Sequence, residues 1–279
     1  MTGYCLFSEY VTEFECASVA FLDKKLFALQ SQNAISLYPT PKEMNVYDAS
    51  TFDALGTITI PALPGCRSDF VDMAVCCFYH CLYFAHAENT CIVRLKLPSE
   101  LRKWKVDGIG YDAVISVTRS HELLVMCDQS NKLKLFSTDG LLRMTVDLQP
   151  DIVNVTSAVE LIPGHYLVTH GEGSDELHRV CLVNIEGKIL HAYGGFKGSY
   201  MLNCPKAVAV DQHGFVYVAE ACSDRFIVLK PNLEYICYKR HDFRDVQRMK
   251  MDNVSRFMCI SQIKKSHPKS RKWVTVFQI

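Results

Sequence analysis

The sequence lacks the features of a secreted, membrane-spanning or strongly charged protein. No apolar run approaches the roughly 20 residues that a membrane-crossing helix needs. The opening stretch, MTGYCLFSEYVTEFEC, has neither a basic start nor a long apolar core. The chain has 30 Lys and Arg and 30 Asp and Glu, so its net charge favours neither nucleic acid nor a membrane surface. We therefore expect no membrane association.

A disulfide framework is also missing, although cysteine itself is abundant. The 13 cysteines are odd in number and follow no repeated spacing. Most of them lie within apolar runs, where a reduced thiol behaves as a small buried hydrophobic group. We therefore expect a reducing compartment and a cytoplasmic protein.

Long helical patterns are scarce, and short alternating runs take their place. The strongest helix candidate, residues 98–104, is short enough to be a loop or a single turn. The stretch from Leu202 to Pro231 contains three short β-rich runs, separated by a turn at Asp211–Gly214 and by a polar break. This arrangement predicts an antiparallel meander.

Similar units recur along the whole chain and predict its fold. Their second runs are centred on Phe27, Tyr83, Val125, Leu167, Tyr217 and Met258, at intervals averaging about 46 residues. This period is typical of a four-stranded propeller blade. We expect one domain, residues 1–279, forming a six-bladed all-β propeller of four-stranded antiparallel blades. The last unit, residues 246–279, lacks one strand, and an N-terminal strand at 5–14 is expected to complete it.

The stretch from Leu202 to Pro231 resembles the NHL repeat, whose pattern runs roughly P-x-x-[IVA]-A-V-D-x-x-G-x-[IV]-Y-V-A-D and then N-x-R-[IVF]. The matching residues are Pro205, Ala209, Val210, Asp211, Gly214, Val216, Tyr217, Val218, Ala219, Arg225 and Phe226. Glu220 stands where the family has Asp, and Asp224 stands where it has Asn.

The chain as a whole resembles the propeller part of tripartite-motif NHL proteins. No RING-type or B-box Cys/His spacing is seen, so the ligase activity of such relatives is not expected here. In that family the propeller is a recognition platform for protein or RNA, and a few relatives with the repeat are lyases. The resemblance therefore implies a binding module.

A cluster of cysteines and histidines between residues 76 and 91 is a candidate zinc site. Structural zinc sites use ligand pairs two to four residues apart on a turn, followed by a second pair. Here Cys76 and Cys77 are consecutive on an expected strand, so their side chains face opposite sides. Core cysteines and loop histidines are the better interpretation, and we expect no metal or other cofactor.

Four polar residues directly follow the second runs of their units: His86, Asp128, His170 and Glu220. They should occupy equivalent corners on one rim of the propeller, where they could converge near the central channel. One interpretation is a ligand or metal site of the kind that six-bladed lactonases hold. The favoured interpretation is structural, because an acidic residue at such a corner can cap a tight turn.

Positive charge is concentrated at the end of the chain. Residues 226–279 contain twelve Lys and Arg but only four Asp and Glu. The candidate basic patch comprises Lys239, Arg240, Arg244, Lys264, Lys265, Lys269, Arg271 and Lys272. Such loops could contact phosphates, with nearby aromatic rings stacking on bases. The alternatives to nucleic-acid binding at this patch are a solvated loop and a binding site for an acidic protein.

These observations predict a monomeric, non-catalytic module that binds a protein partner on the loop-bearing rim. The first alternative is single-stranded RNA binding through the basic C-terminal blades. The second is a metal-dependent, lactonase-like hydrolase with a site in the central channel. No residue is assigned as catalytic, because no nucleophile is positioned beside a general base.

Overall fold

The computed structural model describes residues 9–16, 18–30, 41–62, 70–86, 90–97, 99–110, 113–127, 131–171, 176–195, 202–223, 225–240, 246–252, 257–266 and 269–278. Within these ranges the regular secondary structure consists of 24 β-strands, without any helix. The same ranges accordingly contain no helix that is long and apolar enough to cross a membrane.

The first strand, β1 (Glu9–Glu15), pairs with the far end of the chain, and five blades of consecutive strands follow it. Blade 1 comprises β2 (Ser18–Leu22), β3 (Lys25–Leu29), β4 (Lys42–Asp48) and β5 (Ala54–Ile60). Blade 2 comprises β6 (Phe70–Cys76), β7 (Cys81–His86), β8 (Cys91–Lys96) and β9 (Glu100–Lys105). Blade 3 comprises β10 (Val114–Val117), β11 (Leu123–Cys127), β12 (Lys132–Phe136) and β13 (Leu142–Asp147).

The remaining blades repeat the same order. Blade 4 comprises β14 (Val155–Ile162), β15 (His165–His170), β16 (Arg179–Asn184) and β17 (Ile189–Gly194). Blade 5 comprises β18 (Pro205–Val210), β19 (Val216–Glu220), β20 (Arg225–Leu229) and β21 (Tyr235–Arg240). The last three strands are β22 (Val246–Asp252), β23 (Phe257–Ser266) and β24 (Lys269–Gln278). All neighbouring strands in these sheets pair antiparallel.

The two ends of the chain share one further four-stranded sheet, ordered β1–β24–β23–β22, which we call the closing sheet. The predicted count of six blades is corrected by this arrangement. The chain forms five blades of consecutive strands, and the closing sheet is a composite of both ends. Its N-terminal strand, expected at residues 5–14, covers Glu9–Glu15, and the residues before Glu9 lie outside the described ranges.

Apolar packing joins neighbouring sheets around a central axis. One hydrophobic cluster is shared by blades 1 and 2, and others link each successive pair through blade 5. Two further clusters join the closing sheet to blade 5 and to blade 1. The first strands of the sheets contact one another in turn and surround the axis. We call β2, β6, β10, β14, β18 and β22 the inner strands.

The inner strands begin at one rim of the propeller and end at the other, which we call the first rim and the second rim. Blade 5 shows how the sequence makes this geometry. Its inner strand stops at a turn in which Asp211 accepts hydrogen bonds from the backbone N–H groups of His213 and Phe215, both at 2.9 Å. Gly214 closes the turn at a φ of 83°, a conformation that favours glycine.

The outermost strands were harder to predict because they are largely exposed. Residues 98–104, expected as a loop or single turn, contribute most of β9 (Glu100–Lys105). Only Leu101 and Trp104 of this strand are partly buried. Leu101 packs against the cluster shared by blades 1 and 2, and Trp104 packs against the cluster shared by blades 2 and 3. Charged residues fill its remaining positions, so alternation of apolar residues is too weak to indicate a strand.

Candidate functional site: the rims and the central channel

The predicted corner residues lie at equivalent positions on the first rim. His86, His170 and Glu220 end β7, β15 and β19, and each pairs with the first residue of the neighbouring inner strand. All three side chains are buried. Asp128, the fourth member of the set, lies outside the described residues.

The two histidines are held within their own blades. The ring of His86 packs edge-on against Phe70, with ring centroids 5.8 Å apart. His170 accepts a hydrogen bond from Arg179 Nε at 3.3 Å and lies 3.5 Å from the sulfur of Cys181. Burial, reinforced by the positive charge of Arg179, lowers the pKa of His170 to about 4. His170 is therefore uncharged at neutral pH.

Glu220 is the centre of a local ionic network. Its carboxylate accepts a hydrogen bond from the backbone N–H of Asn203 and forms an ion pair with Arg225. The hydrogen bond from Arg225 to this carboxylate, together with the carboxylate's negative charge, raises the pKa of Arg225. The guanidinium also lies 5.5 Å from the ring centre of Tyr238. Glu220 therefore joins the loop before β18 to the strand β20.

A cavity of about 450 Å³ lies along the central channel. Its walls come from the inner strands, and His86, His170 and Glu220 are not among the lining residues. The lining combines apolar residues with polar and charged ones, such as Ser116 and Glu160. The cavity extends to the second rim, where Arg119 and Gln212 lie. The geometry thus separates the predicted corner residues from the channel.

Sequence reasoning missed the charged cluster deep in this channel, formed by Asp72, Arg248 and Lys250. Lys250 Nζ donates to Asp72 Oδ2 and to the carbonyl of Ile115, both at 3.0 Å. Arg248 Nε lies 3.9 Å from the same carboxylate. The guanidinium also donates to the carbonyl of Ala113 at 3.0 Å, from the closing sheet to blade 3.

The carboxylate of Asp72 is fully buried and saturated with donors. It also accepts hydrogen bonds from the backbone N–H of Ile115 at 2.9 Å and from the hydroxyl of Ser18 at 3.3 Å. Burial lowers the pKa of Lys250. The negative charge of Asp72 raises this pKa in part, and the positive charge of Arg248 lowers it further. The available sequence signal was Asp72 itself, a charged residue inside the apolar run FVDMAV.

The second rim carries an exposed aromatic cluster that we call the rim cluster: Phe78, Tyr79 and His121. Phe78 and Tyr79 belong to the turn between β6 and β7, and His121 to the turn between β10 and β11. The rings of Phe78 and His121 are stacked, with centroids 4.4 Å apart and an interplanar angle of 9°. Tyr79 meets both rings edge-on.

The cysteines beneath this cluster fit the expected core role. Cys76 ends β6, Cys81 begins β7, and the two are paired across the hairpin and buried. Hydrogen bonding between the two thiols lowers the pKa of Cys76 and raises that of Cys81. Cys77 lies exposed in the turn. Among the described residues, no group of three or more His, Cys, Asp or Glu could hold a metal ion.

The basic patch falls on two neighbouring sheets at the first rim. Lys239 and Arg240 end β21, next to the start of the closing sheet. The β23–β24 hairpin extends beyond the start of β22, and pairing of its backbone places Lys264 opposite Arg271, Lys265 opposite Ser270 and Ile263 opposite Lys272. Lys269 begins β24 at the same end. Arg244 lies outside the described residues.

Comparison with known proteins establishes the fold. No protein-family model matches the chain, and no curated protein matches it in sequence. Virginiamycin B lyase from Staphylococcus aureus is similar in structure, with a TM-score of 0.64 at 9% identity over 96% of this chain and 98% of that chain. The WD40 β-propeller domain of Doa1 gives a TM-score of 0.60 at 13% identity, covering 94% and 78%.

A third similar structure is a Bacteroides caccae protein of unknown function, with a TM-score of 0.57 at 12% identity over 86% and 87% of the two chains. These likenesses identify the chain as a β-propeller. At such low identities they carry the fold alone, and the resemblance to NHL repeats and to tripartite-motif proteins stays an expectation from the sequence.

Proposed function

We propose that this β-propeller is a non-catalytic interaction module that binds a protein partner on its second rim. The observation that carries the proposal is the rim cluster. Phe78 is 64% exposed and Tyr79 is 43% exposed, which places two large aromatic side chains in solvent within one turn. Protein-binding surfaces are enriched in such residues, and a few of them supply most of the binding energy.

The geometry of the rim cluster supports a binding role because its rings are already ordered. Phe78 is stacked on His121 from the neighbouring blade, so a partner would meet a preformed aromatic surface. Less conformational entropy is then lost on association. The hydrophobic packing between blades 2 and 3 holds the two turns in position. The expected partner is a protein segment that places an apolar side chain against these rings.

The test is affinity capture of partners from cells that express the protein, with a matched pair of variants. The double variant Phe78→Ser/Tyr79→Ser removes the rim cluster's exposed rings. The control, Leu55→Ser/Leu190→Ser, removes two exposed apolar side chains from outer strands, away from the rim cluster. We expect proteins captured by the natural sequence and the control to be lost with the rim variant, and RNase treatment to leave them bound.

Equal capture by all three proteins would refute the rim cluster as the binding surface. Loss of the captured proteins after RNase treatment would instead indicate that RNA bridges them. Captured candidates are then purified and titrated against the propeller to establish direct contact.

Single-stranded RNA binding at the first rim is the second candidate, favoured by the position of the basic hairpin. The ends of β21 and of the β23–β24 hairpin lie at the same rim, so the backbone brings basic sequence positions of two sheets to one end of the propeller. Arg225 and Tyr238 add a guanidinium and an exposed ring to the same region. This combination suits contacts to phosphates and stacking on bases.

Fluorescence anisotropy with a labelled 12-nucleotide RNA tests this candidate. RNA binding predicts an affinity that falls steeply between 50 and 200 mM salt, by about 300-fold for six phosphate contacts to a single strand. It also predicts that the double variant Lys264→Glu/Lys269→Glu loses RNA binding. The control Lys188→Glu reverses the charge of an exposed residue in blade 4 and should change the RNA affinity little. Flat salt dependence or equal binding by both variants would exclude it.

A further inference from the structure

A pair of cysteines lies directly beneath the rim cluster. Cys76 ends β6, Cys81 begins β7, and the backbone pairs the two residues across the hairpin. Only the four residues of the turn separate them along the chain, and Phe78 and Tyr79 belong to that turn. Both cysteines are 1% exposed, whereas the turn residues are exposed. The two thiols therefore form the base of the turn that carries the rim cluster.

The hairpin geometry is compatible with a covalent bond between the two sulfurs. Directly opposed residues of antiparallel strands have Cα atoms about 4.5–5.5 Å apart, within the roughly 4.4–6.8 Å that a disulfide spans. The thiol of Cys81 already hydrogen-bonds the sulfur of Cys76, so the two sulfurs face each other. In the strand pairings of the described residues, no other cysteine lies opposite a cysteine. A disulfide could therefore form here without moving the strands.

The electrostatic environment of Cys76 differs from that of other buried thiols. The hydrogen bond from Cys81 lowers the pKa of Cys76 against the opposing effect of burial, and the backbone N–H of Tyr79 lowers it further. Burial instead raises the pKa of Cys16 to about 12 and that of Cys181 to about 11. The thiolate is the nucleophilic form of cysteine, so Cys76 is the most reactive of these three buried thiols.

We propose that Cys76 and Cys81 are a redox-active pair that a hydroperoxide converts into a reversible disulfide beneath the rim cluster. The thiolate of Cys76 attacks one peroxide oxygen, the O–O bond breaks, and the hydroxide that leaves takes up a proton to form water. The sulfur of Cys76 is thereby oxidised to a sulfenic acid, and the peroxide is reduced.

The second step joins the two sulfurs. The thiol of Cys81 attacks the sulfenic sulfur of Cys76, the S–S bond forms as the S–O bond breaks, and the departing hydroxyl group leaves as water with the thiol proton. A dithiol reductant restores both thiols by exchange and is itself oxidised to a disulfide. In the reducing compartment that the sequence predicts, disulfides are usually of this transient kind. Core packing alone predicts no bond between the two residues.

The disulfide should change how the rim cluster is presented to a partner. In the reduced protein the sulfur of Cys76 accepts hydrogen bonds from the backbone N–H groups of Tyr79 and Phe78. A disulfide sulfur carries no negative charge and is a weaker acceptor, so these two N–H groups lose support. The stacking of Phe78 on His121 should then become less ordered. This consequence rests on the proposed function, in which a partner binds the rim cluster.

Treatment of the reduced protein with hydrogen peroxide tests the site without any partner. The remaining thiols are alkylated, chymotrypsin cleaves after Phe78 and Tyr79, and mass spectrometry identifies the linked peptides. We expect a disulfide between Cys76 and Cys81 that dithiothreitol removes. The matched control, Cys77→Ser, replaces the neighbouring exposed thiol and should form the same disulfide at a rate within about twofold.

Two further variants assign the roles of the two sulfurs. Cys81→Ser removes the second thiol, so peroxide should leave a sulfenic acid on Cys76 that dimedone captures. Cys76→Ser removes the attacking thiolate, so no disulfide to Cys81 should form. Circular dichroism of each variant verifies its fold.

The proposal is overturned if the peroxide-treated natural protein contains no disulfide between Cys76 and Cys81. It is also overturned if Cys77→Ser fails to form this disulfide, because the exposed thiol would then be the reacting group. The Cys77→Ser comparison decides even if substitutions of the buried cysteines impair folding.

Titration of a captured protein partner against the reduced and the disulfide forms measures the consequence for the rim cluster. We expect the disulfide form to bind at least about fivefold more weakly, and dithiothreitol to restore the affinity. Equal affinities would overturn oxidative control of the rim cluster. Failure of Phe78→Ser/Tyr79→Ser to weaken binding would refute the proposed function together with this consequence, whereas the disulfide itself is tested without a partner.

Discussion

At the scale of single residues, buried ionic groups at the first rim connect the turns to the blades. Glu220 bonds the backbone before β18 and pairs with Arg225, which is itself partly exposed. Its position at the end of a strand made it a candidate for ligand chemistry, yet its oxygens are engaged by neighbouring protein groups. Its contribution to the free energy of unfolding can be measured directly.

Replacing Glu220 by Gln should destabilise the protein by about 2–3 kcal/mol. The substitution leaves Arg225 without its carboxylate partner, and breaking one side of a buried pair is costly, although partial exposure of Arg225 reduces the penalty. Urea unfolding measures the change. The control is Glu234→Gln, which breaks the exposed pair with Lys230 and should leave the free energy of unfolding nearly unchanged. Similar losses in both variants would contradict this role for Glu220.

His170 should make the protein less stable as pH falls from 6.5 to 4. An ordinary histidine has a pKa of 6.5, whereas burial lowers that of folded His170 to about 4. Between these values the unfolded chain binds the extra proton, so the free energy of unfolding decreases by up to roughly 3 kcal/mol. Above pH 6.5 His170 is neutral in both the folded and the unfolded chain, so its full contribution to the free energy of unfolding is present.

Urea unfolding at several pH values, compared between the natural protein and His170→Gln, isolates this effect. The free energy of unfolding changes with pH at a different rate in the two proteins between pH 6.5 and 4, and this difference is the contribution of His170. A His165→Gln control removes a partly exposed histidine of the same strand and should preserve the slope. If His170→Gln has the natural slope, the lowered pKa is wrong.

At the scale of elements, the closing sheet depends on β1. This strand pairs with β24 from Glu9↔Gln278 to Glu15↔Trp273, with one irregularity between Tyr10 and Thr12. Without it β24 would become an unpaired edge of a long strand, which favours association between chains. Strand β1 therefore protects the edge of the closing sheet.

Deleting residues 1–15 should lower the thermal midpoint by at least about 10 °C and promote self-association. Scanning calorimetry and light scattering measure the two effects. A synthetic peptide of residues 1–17 added to the truncated protein should restore the midpoint, and a scrambled peptide should not. An unchanged midpoint in the truncated protein would show that β1 contributes little.

Elements with buried faces could be predicted from the sequence, and exposed ones could not. The strands β18 and β19 combine apolar runs with a recognisable turn, so the local pattern was sufficient. The outer strand β9 is mostly charged, and its strand conformation depends on pairing with β8. Only the three-dimensional arrangement of the blade reveals it.

At the scale of the whole molecule, the sites depend on distant parts of the chain. Phe78 meets His121 only because two turns lie side by side on the second rim. Lys250 and Asp72 are 178 residues apart in sequence and meet in the channel. No local spacing encodes such contacts. The sequence therefore indicated an all-β propeller of four-stranded blades, although its count of six blades was wrong, and it revealed neither the rim cluster nor the charged cluster in the channel.

The opposite rims also divide the candidate functions. Aromatic groups of the rim cluster lie on the second rim, and the basic ends of β21 and the β23–β24 hairpin lie on the first. A protein partner at the rim cluster and RNA at the first rim would thus respond differently to salt and to substitution. This separation makes the central proposal testable in a single binding experiment.

The most direct measurement is the dissociation constant between the purified propeller and a protein captured through it, determined by titration calorimetry. We predict that Phe78→Ser/Tyr79→Ser weakens binding at least about 30-fold, while Leu55→Ser/Leu190→Ser stays within about threefold. Raising salt from 50 to 300 mM should change the natural affinity by less than about tenfold. Equal affinity in both variants, or a steep loss of affinity with salt, would contradict protein recognition by the rim cluster.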